Sequence, residues 1–150
     1  MKSYTDLEQS RKLAEILPIE SADMEYILEQ WRDEETHRLK KGYSEYPVVK
    51  VDDDDDQFQV ITLPCWSLAA LMELLPSELE LHDTFETTKF EIRIRKYNHI
   101  VNGLNLYQIA YGNNKGRSYS WHDLFNTSEH ENLLDAVFEM VCYLKENKFI

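Results

Sequence analysis

Lys89-Phe90-Glu91-Ile92-Arg93-Ile94-Arg95-Lys96-Tyr97, then Asn102-Gly103, then Leu106-Tyr107-Gln108-Ile109-Ala110-Tyr111 is the stretch whose reading decides the fold. Phe90, Ile92 and Ile94 alternate with Glu91, Arg93 and Arg95, the period of a strand with one buried face. Asn102-Gly103 offers the two positive-φ positions of a type I′ hairpin turn. Taken as a two-residue loop, it sets Val101 opposite Leu104 and carries the pairing outward until Ile94 faces Tyr111. Tyr107, Ile109 and Tyr111 then share the face of Ile92 and Ile94, which makes a coherent core face. Gly112 to Gly116 reads as a second turn, and residues 118–121 as a third strand, so a meander is expected around 90–121.

Helical patterns flank this sheet. Tyr4, Leu7, Ala14 and Leu17, with Leu13 and Ile16, recur at three- and four-residue steps, so a helix is expected over 4–17, stopped by Pro18. Pro64 is expected to open a central helix over 67–75 with Ser67 as its N-cap. Leu68, Leu71, Met72 and Leu75 form its stripe, and Ala69, Ala70 and Leu74 leave it apolar on most sides. Ser128-x-x-Glu131 matches a capping box, with Asn132 a second cap one turn later. Leu134, Val137, Phe138, Val141 and Cys142 draw the stripe of a last helix, and Lys145 and Lys148 suit the negative end of its dipole. Val48, Val49 and Val51 read as a short strand, and Phe58, Val60 and Ile61 as another. Residues 33–46 read as a polar connection or hairpin arm. Residues 24–31 fit a helical face through Met24, Ile27, Leu28 and Trp31, with Ser21 or Asp23 as cap, and also alternate as a strand would. The class is α+β in one domain over 1–150.

The 150 residues carry 16 basic and 28 acidic side chains, a net charge of −12. Residues 1–83 hold 8 basic and 20 acidic groups; residues 84–150 hold 8 of each. A chain this acidic is a poor binder of nucleic-acid phosphates or anionic lipid, which attract basic surfaces. The second half nonetheless has a locally basic edge at Lys89, Arg93, Arg95 and Lys96, so head-to-tail self-association is one expected consequence. Residues 1–10 lack the apolar core of a signal peptide, and no window approaches the roughly 20 apolar residues of a membrane span. Cys65 and Cys142 lie in apolar surroundings without CxxC spacing, and two reduced, buried thiols in a cytoplasmic protein are expected.

The carboxylate run Asp52, Asp53, Asp54, Asp55 and Asp56 is expected to form a solvated surface loop. As an EF-hand it fails, because Gln57 and Leu63 stand where glycine and the bidentate glutamate belong. The run would also suit an acidic decoy for a DNA-binding protein if Glu8, Glu15, Asp33, Glu34, Glu35 and Glu45 joined it on one face. His37, His82, His99, His122 and His130 show no zinc spacing, and in His130-Glu131 the second histidine of HExxH is replaced by Leu134. Cys65, next to a helix start, is the one candidate nucleophile. Gly112 to Gly116 is too short for a phosphate loop, and no cofactor motif is present. The sheet face opposite the core carries Arg93, Arg95, Tyr97, His99, Leu104 and Leu106. Packing under a terminal helix is its expected fate; left open, it would stack nucleobases or meet an acidic partner.

Three blocks carry a family resemblance: Leu17-Pro18-Ile19-Glu20-Ser21-Ala22-Asp23-Met24, Leu63-Pro64-Cys65-Trp66-Ser67-Leu68-Ala69-Ala70-Leu71, and Asp135-Ala136 with Glu139-Met140 and Leu144-Lys145-Glu146-Asn147. Together they resemble small uncharacterised proteins of Bacteroides-type gut bacteria and of their phages and mobile elements. The resemblance implies an extended segment after Met24 and a mobile-element setting, and it assigns no catalytic residue. With no intact catalytic constellation in the chain, the expected function is a small non-enzymatic protein-interaction module. The alternatives are the acidic decoy and an enzyme using Cys65 or a histidine–carboxylate site.

Overall fold

The computed structural model describes residues 2–50, 61–98, 103–114 and 121–150. The fold is α+β, and the chain divides into two compact units, Tyr4–Ala70 and Met1–Ser3 with Leu71–Ile150.

The first unit opens with α1 (Leu7–Ile16). Asp6 caps it: its carboxylate accepts from the Gln9 amide at 2.9 Å, and the Gln9 side chain accepts from the Asp6 amide at 3.3 Å. The helix therefore starts later than its apolar period implied, and Tyr4 forms a β-bridge with Ser67 instead. After a 3-10 turn (Ile19–Ser21), β1 (Met24–Arg32) settles the ambiguous segment as a strand. It pairs antiparallel with β2 (Leu39–Tyr43), β3 (Val48–Val49) and β4 (Thr62–Cys65), so that Met24 is bracketed by Val49 and Cys65. Asp23 caps no helix in its own segment; its carboxylate accepts from the Ser67 amide at 2.8 Å.

Pro64 is the main correction here. It lies within β4, opposite Glu25, rather than at a helix start. Proline is tolerated there because β4 pairs only with β1 among the described strands, leaving an edge where no amide is needed. The helix α2 is correspondingly short, Leu68–Glu73, with the Ser67 hydroxyl accepting from the Ala70 amide at 3.1 Å. It is less enclosed than expected, with Leu71 buried and Ala69 exposed. Ile61 is outside any strand; Val51, Phe58, Val60 and the whole run Asp52, Asp53, Asp54, Asp55 and Asp56 lie outside the described residues.

The core of this unit gathers Tyr26, Leu63 and Cys65, with Tyr4, Leu7, Met24 and Tyr43 packed against them. Among the described residues no buried side-chain nitrogen or oxygen lacks a partner. The Thr5 hydroxyl bonds the Ser10 hydroxyl at 2.7 Å, Tyr26 Oη donates to the Thr5 carbonyl at 2.8 Å, and the Trp66 indole N–H donates to Ser21 Oγ at 3.0 Å.

The second unit is a four-stranded antiparallel meander, β5 (Glu78–His82), β6 (Thr87–Asn98), β7 (Asn105–Asn113) and β8 (His122–Asn126), in that spatial order. The expected sheet is present, with β5 as an additional strand. Gly112 and Asn113 of the expected second turn belong to β7, residues 115–120 lie outside the described residues, and the return strand is described over His122–Asn126. The expected faces hold, but the register does not. Ile92 pairs with Tyr111 and Ile94 with Ile109, two residues away from the pairing that a two-residue turn imposes. A shift of two leaves every side chain on its own face, which is why the face assignment survives the error. Of the proposed turn, Gly103 has φ +67°, and Val101 and Asn102 lie outside the described residues.

The final helix α3 (Leu133–Glu146) starts after Asn132, and no Ser128–Glu131 box forms. The Ser128 amide and hydroxyl instead donate to Glu139 within the helix, at 3.0 and 3.3 Å. Leu134, Val137, Met140, Val141 and Leu144 are wholly buried, each contributing roughly 1.5–3 kcal/mol of apolar transfer. Phe125 links sheet and helix, its ring 5.4 Å from Tyr111 and 4.3 Å from Tyr143. Lys2 Nζ pairs with Asp135 at 3.0 Å on the first turn. Among the described residues no helix is long and apolar enough to cross a membrane.

Candidate functional site

The face of the second sheet opposite Tyr111 and Phe125 presents Arg93, Arg95 and Tyr97 from β6, Leu106, Gln108, Ala110 and Gly112 from β7, and Asp123 and Asn126 from β8. The terminal helix packs on the other side, where Phe125 meets Tyr143. The expectation that this helix would cover the arginines is thereby corrected.

A bulge between Tyr111 and Gly112 builds the site. Tyr111 pairs with Phe125, yet Gly112 pairs with Asp123, so Leu124 is the extra residue. Phe125 stays in the core while Asp123 reaches the outer face. There its carboxylate receives both guanidinium nitrogens of Arg95, at 2.8 and 2.5 Å, the Trp121 indole N–H at 2.5 Å and the Asn126 amide at 3.1 Å. The hydrogen bonds from Arg95 hold the Asp123 carboxyl below the usual aspartate range, against a smaller opposing effect of burial.

Trp121 lies across Gly112. A side chain at that glycine would stand 2.6 Å from the indole ring and collide with the His122 carbonyl. Over the indole sits the Arg93 guanidinium, 3.5 Å from the ring centroid, in a cation–π stack. Arg95 and Tyr97 both reach Gln108, at 3.4 and 3.2 Å, and the Gln108 amide donates to the Thr127 carbonyl at 2.9 Å. The arrangement is a surface lattice with its side chains fixed before any ligand arrives.

The basic edge read from sequence is largely neutralised within the molecule. Lys89 is held between Glu78 at 2.6 Å and Glu80 at 3.0 Å, and Arg95 is paired with Asp123. Arg93 differs: among the described residues it has no carboxylate partner. Of the residues singled out from sequence, Arg93, Arg95 and Tyr97 come together here, and His99 lies outside the described residues. Trp121, Asp123, Gln108 and Gly112 complete the site without having been singled out for it. The sequence signal for this half of the site is the spacing of Trp121 and Asp123, two residues apart.

The other candidates are placed as follows. Cys65 is fully buried on a strand, its sulfur bonded to Thr5 at 3.5 Å, and burial pushes its thiol up, away from the thiolate a nucleophile needs. Cys65 and Cys142 are both buried and are not joined in a disulfide. His130 Nε2 meets Glu139 Oε2 at 2.5 Å, while the His130 backbone pairs with Tyr107 in both directions. This histidine–carboxylate pair ties the segment before α3 to the helix and to β7. His82 bonds Thr87 at 3.0 Å. Among the described residues no three His, Cys, Asp or Glu side chains gather as a metal site.

Glu8 and Glu15 lie on α1, Glu34 and Glu35 at the turn after β1, and Glu45 after β2. Asp33 is engaged by Lys40 and by the Thr36 amide and hydroxyl. The unit Tyr4–Ala70 carries 7 basic and 16 acidic residues, a net of −9. No family model, curated protein or solved structure matches the chain.

Proposed function

We propose that this protein is a non-enzymatic interaction module of the phage or mobile-element type implied by its sequence resemblance, and that it engages a protein partner through the outer face of β6, β7 and β8. One observation carries the reading. Arg93, Trp121 and Tyr97, the three residue types that dominate binding energy at protein interfaces, stand on the sheet face away from α3, Arg93 and Tyr97 exposed and Trp121 half-buried, with Trp121 held by Asp123 and Tyr97 by Gln108. Fixing these side chains in advance lowers the entropy lost on association. Burial of Cys65 weakens the enzyme reading; of the described histidine–carboxylate pairs, His130–Glu139 ties the segment before α3 to that helix, and His82–Glu80, 3.8 Å apart, is an exposed pair along β5.

The test is affinity capture from the host with the full chain, run beside the double variant Arg93→Ala/Tyr97→Ala. A partner retained by the wild type and lost by the variant is the expected result. Equal retention by both, or substrate turnover by the purified protein, would overturn the reading. An acidic decoy is the second reading, favoured by the −9 of the first unit. It is distinguished by capture of a DNA-binding protein that survives the double variant.

A further inference from the structure

We infer that the partner contributes an acidic, partly apolar peptide segment, and that Arg93, backed by Trp121, is the anchor that receives its carboxylate. This rests on the interaction-module reading and names the chemistry of the partner.

The charges of the face decide the point. Three cations stand on this side of β6, and two are already satisfied: Lys89 by Glu78 and Glu80, and Arg95 by Asp123. The Arg93 guanidinium carbon lies 3.5 Å over the Trp121 ring centroid, a separation that a face-on stack fits, and such a stack keeps the in-plane N–H donors available to a ligand. Those donors match a carboxylate in a two-pronged geometry, and a stacked guanidinium has already lost the freedom that such pairing costs. Asp123 does not compete for this role, since its oxygens are engaged by Arg95, Trp121 and Asn126. Next to Arg93 on this face stand Arg95 and Gln108, already bonded to each other, and past them Tyr97, 39% exposed, pairs with Leu106. A segment alternating carboxylate and aliphatic side chains complements both ends.

Nucleic acid offers an anion too, but in a dense phosphate array. One arginine without a carboxylate partner among the described residues, on a face that also carries Glu91 and Asp123, releases few counterions and suits a single carboxylate.

The test is calorimetric titration of the full chain with a capped Glu-Leu-Glu-Glu-Leu-Glu peptide. The arms are its Gln-for-Glu counterpart, a Lys-for-Glu counterpart and a 12-mer oligothymidylate. The acidic peptide is expected to bind at least tenfold tighter than the other three. Arg93→Ala should weaken it tenfold or more, Arg93→Lys by less, and Arg38→Ala, on the other unit, by nothing. Arg93→Glu should reverse the preference toward the lysine peptide, which keeps the test decisive even where Arg93→Ala perturbs the sheet. Equal affinity for the glutamine peptide, an unchanged Arg93→Ala, or tighter oligonucleotide binding would overturn the inference. A partner captured through this face by a protein that ignores the acidic peptide would overturn the acidic chemistry alone and leave the interaction-module reading standing.

Discussion

Trp121 occupies the place where Gly112 would carry a side chain, its indole 2.6 Å from that position. The same device recurs in the first unit, where the Trp31 ring tip lies 2.9 Å from the corresponding point on Gly42. The two differ in what can yield. Gly112 is buried and confronts backbone as well as indole, whereas Trp31 is 46% exposed and meets Gly42 with the far end of its ring. Gly112→Ala is expected to cost roughly 1–3 kcal/mol, as overpacking does, and Gly42→Ala less than about 0.5 kcal/mol. Urea unfolding of both variants checks this; equal costs would contradict it.

Arg95 and Asp123 form a two-pronged pair with about a quarter of each side chain exposed. Such a pair should exceed a surface ion pair and fall short of a buried one, giving a coupling of about 1–2 kcal/mol. A double-mutant cycle with Arg95→Ala and Asp123→Asn measures it. A coupling below about 0.3 kcal/mol would show the lattice to be loose.

Glu139 should make stability depend on acidity. Burial pushes its carboxyl up, but the hydrogen bonds from His130 and Ser128 together prevail, and the net shift is downward. A lowered folded value means the stabilisation is complete above the ordinary glutamate value, about pH 4.3, and disappears as pH falls through the folded value. Glu139→Gln is therefore expected to lose of the order of 0.5–1 kcal/mol at pH 7, with this difference shrinking below about pH 4. Urea midpoints for wild type and variant at pH 7 and pH 3.5 provide the comparison, and a constant gap would remove Glu139 from the account.

Both thiols should be inert in the folded protein. Cys65 has no exposed surface and Cys142 only 4%, so a disulfide-exchange reagent is expected to titrate neither until denaturant is added, and then both. A fast-reacting thiol in the native protein would reopen the nucleophile reading of Cys65.

What could be read from the sequence was the property that tolerates small errors. The alternation of Phe90, Ile92 and Ile94 assigns faces, and a slip of two residues at the hairpin leaves them intact. Strand β4 was hidden because Pro64 before an apolar run imitates a helix start, and nothing local reveals that Glu25 pairs with it. Strand β5 carries the same alternation, Leu79 and Leu81 against Glu78 and Glu80, over only five residues. The start of α1 does not follow its apolar period, because Asp6 and Gln9 set it through hydrogen bonds. The site was half legible: Arg93, Arg95 and Tyr97 follow from one strand's alternation, while Trp121 and Asp123 depend on a bulge that period-two reasoning excludes.

That bulge makes chain length, rather than residue type, the sensitive quantity in β8. In an unbroken strand Asp123 and Phe125 would point the same way, putting either a carboxylate in the core or a phenyl ring on the surface. Leu124 acts as a spacer that resets the phase between them. Removing Leu124 should leave Asp123 opposite Gly112 and Phe125 opposite Tyr111, whereas removing Phe125 would bring Leu124 opposite Tyr111 and take from the core the ring that meets Tyr143. Single-residue deletions, followed by near-ultraviolet circular dichroism, should find β8 tolerant at that one position and intolerant on its C-terminal side.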